Sequence, residues 1–294
     1  MIVADLHVHT TVSDGTMTLS DARDAARAAD LDAVAITDHD AVHPALDVPV
    51  TQVDSGDVPT GENSSDGEEG VEKRNRYWDR GTDGDDELTV IRGIELRVDA
   101  GFEAIDLLGY AVRETPALGR ELDRLGRNRA ERGRRIVERV EDRLGVELDL
   151  VIDDGVGRPH VARAIADSDA DYGYREAFEQ LIGDERPCYV PRELPAFDDG
   201  VSLLADACEV VSLAHPFRYR DTERALGLCA DRDIDAVERQ YPYGRPVNEA
   251  LVERAIDEHA LLETGGSDAH DDELGRAGLS PTEYEPLAKR LSRP

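Results

Sequence analysis

IVADLHVHTTVSDGTMTLSDARDAARAADLDAVAITDHD (residues 2–40) decides the fold. IVADL (2–6) and DAVAIT (32–37) are short apolar runs of the kind that form buried strands. Between them Leu19, Ala22, Ala25, Ala26 and Ala29 recur with helical spacing, after Thr18 or Ser20 as the capping residue. Strand, helix and strand in so few residues make a βαβ unit, and a crossover of that kind implies a parallel sheet. Both strands end in histidine: His7 and His9 follow the first, His39 the second.

Working outward, strand character returns at LTVIRGIEL (88–96) and EAIDLLGY (103–110), with RVDAG between them as a hairpin. Thr115–Pro116 is a helix start, and an arginine-rich helix runs from it to about Leu144. Its inner stripe is Leu118, Leu122, Leu125, Ile136, Val140 and Leu144, and Gly145 ends it. Residues 146–197 read as short helices and turns. From 198 the alternation resumes: helix 198–207, strand EVVSLAHP, helix 221–231, strand IDAVE, helix 246–260 and strand LLETGGSDAH. The expected architecture is α/β: a βα-barrel of residues 1–113 and 198–294, with a mainly helical insertion over 114–197. Residues 51–87, rich in Gly, Asp, Glu and Ser, read as an acidic low-complexity surface insertion, with Trp78 tacking one end to the body.

Composition limits the partners. The chain has 294 residues and carries 65 Asp+Glu against 34 Lys+Arg, a net charge of −31. Lys73 and Lys289 are its only lysines. Long-range attraction of duplex nucleic acid or an anionic membrane is not expected of such a chain. Adaptation to a high-salt cytoplasm is expected, since about 1 M salt shortens the Debye length to about 3 Å and screens self-repulsion. Cys188, Cys208 and Cys229 are odd in number and lack CxxC spacing, which suits reduced thiols in a cytoplasm. No membrane span and no basic leader are expected.

In a βα-barrel the working groups project from the carboxyl ends of the strands. Residues i and i+2 of an extended chain point to one side, so HxH aims His7 and His9 at one point. The pattern recurs: His39 in TDHD, Glu95 in GIE, His215 in LAHP, Asp268 and His270 in GSDAH. Five of the eight histidines thus stand at expected strand ends beside carboxylates. Imidazole and carboxylate without thiolate suit Zn, Mn or Fe. The set exceeds the three or four ligands of one zinc, so two or three ions are expected.

In this order, DLHVHTTVSDG, AITDHD, GIEL, GRPHVARAI, YVPRE, LAHP and GSDAH resemble the PHP (polymerase and histidinol phosphatase) domain family. They are most similar to its stand-alone branch of nucleoside 3′,5′-bisphosphate phosphatases and a related 5′→3′ exonuclease on short RNA. The resemblance covers nearly all of the chain outside 51–87. It implies a distorted seven-stranded, TIM-like βα-barrel and a trinuclear metal centre. By motif, His7, His9, Glu95 and Asp268 would hold a first metal. Glu95 would bridge to a second with His215, and Asp14, His39 and His270 would hold a third. One position departs from the pattern. Asp106 in AIDLLGY stands where the branch has a histidine, which either shifts the second site toward Mn or Mg or leaves it weak. The amidohydrolase barrel also begins with HxH, but neither lysine is placed to bridge two metals; Glu95 is the available bridge.

The activity this implies is metal-dependent hydrolysis of phosphomonoesters by a metal-bridging hydroxide. The expected substrates are nucleoside bisphosphates or the 5′ ends of short oligonucleotides. Another small phosphomonoester, of a sugar or amino-alcohol, is the alternative substrate; a degenerate barrel that binds a nucleotide or protein partner without turnover is the non-enzymatic alternative. Arg158 and His160 read as phosphate contacts, His160 also as the acid for the leaving group. Arg129, Arg132 and Arg135, three apart on the long helix, read either as contacts for a second phosphate or as partners of surface carboxylates. Asp38 and Asp40 read as groups that orient ligands. Tyr189 and Tyr241 read as stacking partners for a base, and His43 and His259 as structural.

Overall fold

The computed structural model describes residues 1–53, 87–230 and 232–292. Residues 54–86, with Trp78 and most of the expected acidic insertion, lie outside the described residues. Thr51–Val53, expected in that loop, instead belong to a strand: β3 (Val50–Val53) pairs antiparallel with β4 (Leu88–Asp99).

The expected βαβ unit forms. β1 (Ala4–Val8) and β2 (Ala33–Ile36) are buried at every position and pair in parallel. Helix α1 (Leu19–Ala28) crosses between them. Its cap is Thr18, whose hydroxyl accepts from Asp21 N while Asp21 Oδ2 accepts from Thr18 N at 2.9 Å. β2 continues in parallel to β4, but β5 (Ala104–Tyr110) runs antiparallel both to β4 and to β6 (Val210–Leu213). That reversal follows from the hairpin at 99–104, because a tight turn joins only antiparallel strands. It is what distorts the barrel. β6, β7 (Ala236–Gln240) and β8 (Leu262–Gly265) are again parallel, giving the order β1-β2-β4-β5-β6-β7-β8. Closure comes just past β8, where Val8 bridges Ala269 and His9 N donates to the Ala269 carbonyl at 2.9 Å. Close approach there requires Gly266, since a Cβ at that position would lie 2.4 Å from His7 N.

The long helix α2 (Pro116–Leu144) begins at Thr115, whose Oγ1 accepts from Leu118 N, and ends at Gly145 with φ 70°. Its buried face is Leu118, Leu125, Arg129, Gly133, Ile136 and Val140. Leu122 and Leu144 are only partly buried, and an arginine stands mid-stripe. The C-terminal half of α2 shares an apolar cluster with α3 (Arg158–Asp167), the short α4 (Tyr174–Ala177) and a π-helical turn over Phe178–Ile182. α5 (Phe197–Ala207), α6 (Thr222–Gly227) and α7 (Glu249–His259) cover the β4–β7 side. α8 (Pro281–Leu291), which the sequence reading did not resolve, packs Tyr284, Leu287, Ala288 and Leu291 against β1 and β2 residues. Among the described residues no helix is long and apolar enough to cross a membrane. Cys188 and Cys229 are buried, and all three cysteines are free.

Candidate metal centre

The residues expected at strand ends converge, although Glu95 lies within β4 and not at its end, as Asp106 lies within β5. Three groups place one ligand atom per residue within 4.8 Å of each other: His7, His9, Glu95 and Asp268; Glu95, Asp106 and His215; and His9, Asp14, His39 and His270. These contain all nine residues expected to ligate. Glu95 stands in two groups, as a bridge requires. So does His9, whose ring lies 4.3 Å from that of His270 and 4.5 Å from that of His39.

Contacts run from each imidazole to a carboxylate. His7 Nε2 is 3.4 Å from Glu95 Oε2 and 3.5 Å from Asp268 Oδ1. His9 Nε2 lies 3.4 and 3.1 Å from the same two oxygens. His215 Nε2 is 3.1 Å from Glu95 Oε1 and 3.7 Å from Asp106 Oδ2. His39 Nδ1 reaches Glu95 Oε2 at 2.8 Å, and His270 Nε2 reaches Asp14 Oδ1 at 3.2 Å. The backbone is bent to bring these groups in: Asp40, His215 and Asp268 take left-handed conformations, φ 48°, 25° and 49°. Non-glycine residues hold such conformations at a cost of order 1 kcal/mol, typically where a site demands it.

The donor set fits divalent cations. His7 Nε2, His9 Nδ1 and His215 Nδ1 are buried without a hydrogen-bond partner. Buried polar atoms left so are rare unless an ion or water serves them. Glu95 and Asp268 are held ionised despite burial, which by itself would raise them. His39 and His7 keep Glu95 well below the usual carboxylate range, and His7 and His9 do the same for Asp268.

Supporting groups orient the ligands. Glu238, in the middle of β7, is fully buried; its Oε1 lies 3.0 Å from His7 Nδ1 and its Oε2 accepts from His215 N at 2.7 Å. With Nδ1–H donated to Glu238, the His7 Nε2 lone pair is turned toward Glu95 and Asp268. His270 Nδ1 sits 2.9 Å from the Asp268 carbonyl, which leaves Nε2 for Asp14. Tyr241 Oη donates to Asp268 Oδ2 at 2.7 Å and Arg218 donates to the same oxygen, freeing Oδ1 for His7 and His9. Tyr241 is thus engaged by its hydroxyl, and its ring lies 5.4 Å from that of His215 and 4.6 Å from that of Tyr243. Asp38 accepts from Thr10 and Ser13 and fixes the loop between His9 and Asp14. Sequence reasoning missed Glu238, although in IDAVE, as in GIE, an acid follows an apolar run; neither acid ends its strand, since β7 runs on to Gln240 and β4 to Asp99.

Asp40 takes a different part. Its Oδ2 accepts from Arg129 NH2 at 2.8 Å and is paired with Arg192, and both guanidiniums are almost fully buried. Burial pushes Arg192 down to about 10, with Asp14 pulling the other way. Arg192 stands in the quoted YVPRE but was not weighed as a contact. Arg132 lies beside this pair, its Nε donating to the Val190 carbonyl; burial, then Arg158 and Arg129, bring it down to about 10. Arg158 pairs with Asp184 and lies 5.8 Å from the Tyr189 ring centre. Arg135 does not join them. It is exposed, because each step of three turns a helix position about 60° short of a full circle, and two steps from Arg129 carry it off the face.

His160 occupies the third position of α3, where its Nδ1 accepts from Gly157 N at 3.0 Å. Burial lowers its pKa, so at neutral pH it is a neutral ring with Nε2–H to give. It lines a cavity of about 530 Å³ with Thr11, Val12, Leu150, Asp153 and Val156. The Thr11–Ser13 wall runs directly between His9 and Asp14, so cavity and cluster adjoin.

Residues 5–118 match the model of the PHP domain. The chain is 24% identical over 300 residues to the 3′,5′-nucleoside bisphosphate phosphatase of Chromobacterium violaceum, covering 96% of this chain and 92% of the relative. It is 25% identical over 309 residues to the 5′-3′ exoribonuclease Rnm of Salmonella typhimurium, covering 100% and 95%. The fold matches a metal-dependent phosphoesterase structure from Bifidobacterium adolescentis with TM-score 0.74 at 20% identity, covering 98% of this chain and 96% of that one. It also matches a Chromobacterium violaceum protein, solved as an amidohydrolase with bound sulfate and no metal, with TM-score 0.71 at 21% identity and the same coverages.

Proposed function

We propose that this chain, a member of the PHP family, is a metal-dependent phosphoesterase that removes a phosphate from a nucleotide carrying a second one. A nucleoside bisphosphate or the 5′ end of a short oligonucleotide is the substrate class. The observation that carries the reading is the junction of three groups of potential ligands, sharing Glu95 and His9, with a buried arginine pair and a nucleoside-sized cavity. Sites for small ligands span about 300–1,000 Å³. We take 114–197 as a helical subdomain seated on the barrel of 1–113 and 198–294, and its separate apolar cluster supports that division.

When bound, two or three divalent ions here, Mn, Zn, Fe or Mg, supply a nucleophile at neutral pH and neutralise the phosphoryl oxygens. His7, His9, Glu95 and Asp268 would hold one; Glu95, Asp106 and His215 another; Asp14, His39 and His270 a third. The remaining work falls to the chain. Glu238 fixes the tautomer of His7, and Tyr241 with Arg218 fixes which Asp268 oxygen faces inward. Arg129 and Arg192, already charged and clamped on Asp40, offer their remaining N–H groups to the second phosphate, and Arg132 and Arg158 lie behind them. The neutral His160 donates from Nε2 to the ester oxygen on the leaving side. Val12, Leu150 and Val156 pack the base, and Asp153 accepts from sugar hydroxyls.

We further infer a high-salt cytoplasm as the working medium. The net charge of −31, nearly lysine-free, and three free cysteines support it. The test is a substrate panel in Mn²⁺ and high salt: AMP, 3′,5′-bisphosphonucleosides, sugar phosphates and an aryl phosphate. Bisphosphonucleosides are expected to give the highest kcat/KM, and Arg192→Met to abolish their advantage over AMP. Metal-loaded protein that hydrolyses none of them refutes an enzyme and leaves a binding module.

A further inference from the structure

The second ligand group differs from the other two in having both oxygens of one carboxylate taken by a protein cation. β4 and β5 are paired so that Arg97 lies directly opposite Asp106, and residues facing each other across a ladder share a face of the sheet. Arg97 NH1 donates to both Asp106 oxygens, Oδ1 at 2.9 Å and Oδ2 at 2.8 Å. Oδ2 is the oxygen that faces His215 Nε2. Lone pairs that an ion would use at this group are therefore directed at a guanidinium, which never gives up its charge. The other two groups are built differently. Asp14 Oδ1 and Glu95 Oε2 are met by imidazole nitrogens, His270 Nε2 at 3.2 Å and His39 Nδ1 at 2.8 Å, and by no guanidinium, and Tyr241 and Arg218 both take the outer oxygen of Asp268 and leave the inner one to His7 and His9.

Arg97 is also held as a permanent neighbour rather than a passing one. Its backbone N donates to Asp40 Oδ1 at 3.1 Å, while its side chain is 40% exposed and keeps a way out to solvent. A displaced guanidinium thus has somewhere to go.

Resting on the metal-centre reading above, we propose that Arg97 is the resident cation of the Glu95–Asp106–His215 group. The centre then holds two divalent ions tightly and admits a third only by displacing NH1 from Asp106. Such a third ion gains one imidazole and carboxylate oxygens, a set that favours Mn or Mg over Zn.

The test is metal stoichiometry, not turnover. Wild type, Arg97→Met and Arg97→Lys are loaded with Mn²⁺ and desalted, and the retained ions per chain are measured by atomic emission. Metal-stripped samples are then titrated with Mn²⁺ by calorimetry. Wild type is expected to retain two ions and to show a separate, weaker third event. Arg97→Met is expected to retain three, its third event tightened by roughly tenfold or more on loss of a unit charge at ion-pair distance, and Arg97→Lys to follow wild type. Three equivalent ions in wild type, or a third event in Arg97→Met that does not move, would overturn the role of Arg97 and leave the metal centre standing. Wild type that keeps no ion overturns both. Should Arg97→Met not fold, Asp106→His removes the partner of Arg97 and supplies an imidazole; it is expected to retain three ions, and retention of two overturns the proposal.

Discussion

Glu238 is the residue on which the geometry of His7 turns. It is buried, its Oε1 lies 3.0 Å from the ring nitrogen that does not face the cluster, and its other oxygen holds the backbone of His215. Glu238→Gln keeps the shape but loses the charge and puts an amide donor against one of two donors. Removing an outer partner of a metal-binding histidine costs about 10–100-fold in metal affinity. That loss is expected in a chelator competition with Mn²⁺, with the fold unchanged by circular dichroism. His43 provides a pH-dependence away from the cluster. It is buried, its Nδ1 accepts from Ala45 N at 3.2 Å, and burial lowers its pKa. The unfolded chain therefore takes up a proton near the ordinary histidine pKa that the folded chain refuses. Stability rises with pH wherever the unfolded state binds more protons, so this contribution is complete above about 6.5 and fades as the pH falls below it. His43→Asn keeps an acceptor for Ala45 N and removes the titration. The difference in urea midpoint between pH 5.5 and 7.5 is expected to shrink; an unchanged difference refutes the assignment.

At the scale of elements, α2 shows both how far the sequence could be read and where it stopped. Thr115–Pro116 and Gly145 marked its ends correctly because capping is local chemistry. Arg129 and Gly133 in its buried face could not be placed by hydrophobic spacing, since both are there for tertiary reasons: Arg129 to meet Asp40, Gly133 to admit Val156. Likewise β1, β2 and the strand-end histidines were legible from apolar runs and turn positions. Glu238 and Arg192 were not, because their importance lies in partners about 230 and 150 residues away along the chain. α8 escaped although Ser280, Pro281 and Glu283 make a helix start, and Pro286 inside it obscures the pattern. Gly133 gives a test at this scale. A Cβ there would lie 2.6 Å from Val156 Cγ1, whereas one at Gly119 on the same helix meets nothing within 4 Å. Gly→Ala in a helix gains about 0.5–1 kcal/mol, and overpacking costs about 1–3 kcal/mol. Gly119→Ala is expected to raise the thermal midpoint and Gly133→Ala to lower it. Since Val156 lines the cavity, Gly133→Ala is also expected to raise KM more than it lowers kcat.

For the whole molecule the decisive quantity is charge. At −31 over 294 residues, self-repulsion opposes the compact state and salt relieves it. Raising KCl from about 0.1 M to about 2 M shortens the Debye length from about 10 Å to near 2–3 Å, and the thermal midpoint is expected to climb steadily across that range. A midpoint indifferent to salt would show that paired carboxylates, such as Asp106 with Arg97 or Asp235 with Arg290, already absorb the excess. A midpoint that falls would remove high salt as the working medium.

The closure of the barrel has a temporal side. In chain order His7 and His9 precede Asp268 and His270 by about 260 residues, and the two pairs meet only once the bridge from Val8 to Ala269 can form. Until then no truncated nascent chain owns a complete first or third ligand group. On the proposed reading, ion capture would wait for translation to pass residue 270, and a polypeptide released or clipped before that point would lack both complete groups along with the bridge to Ala269.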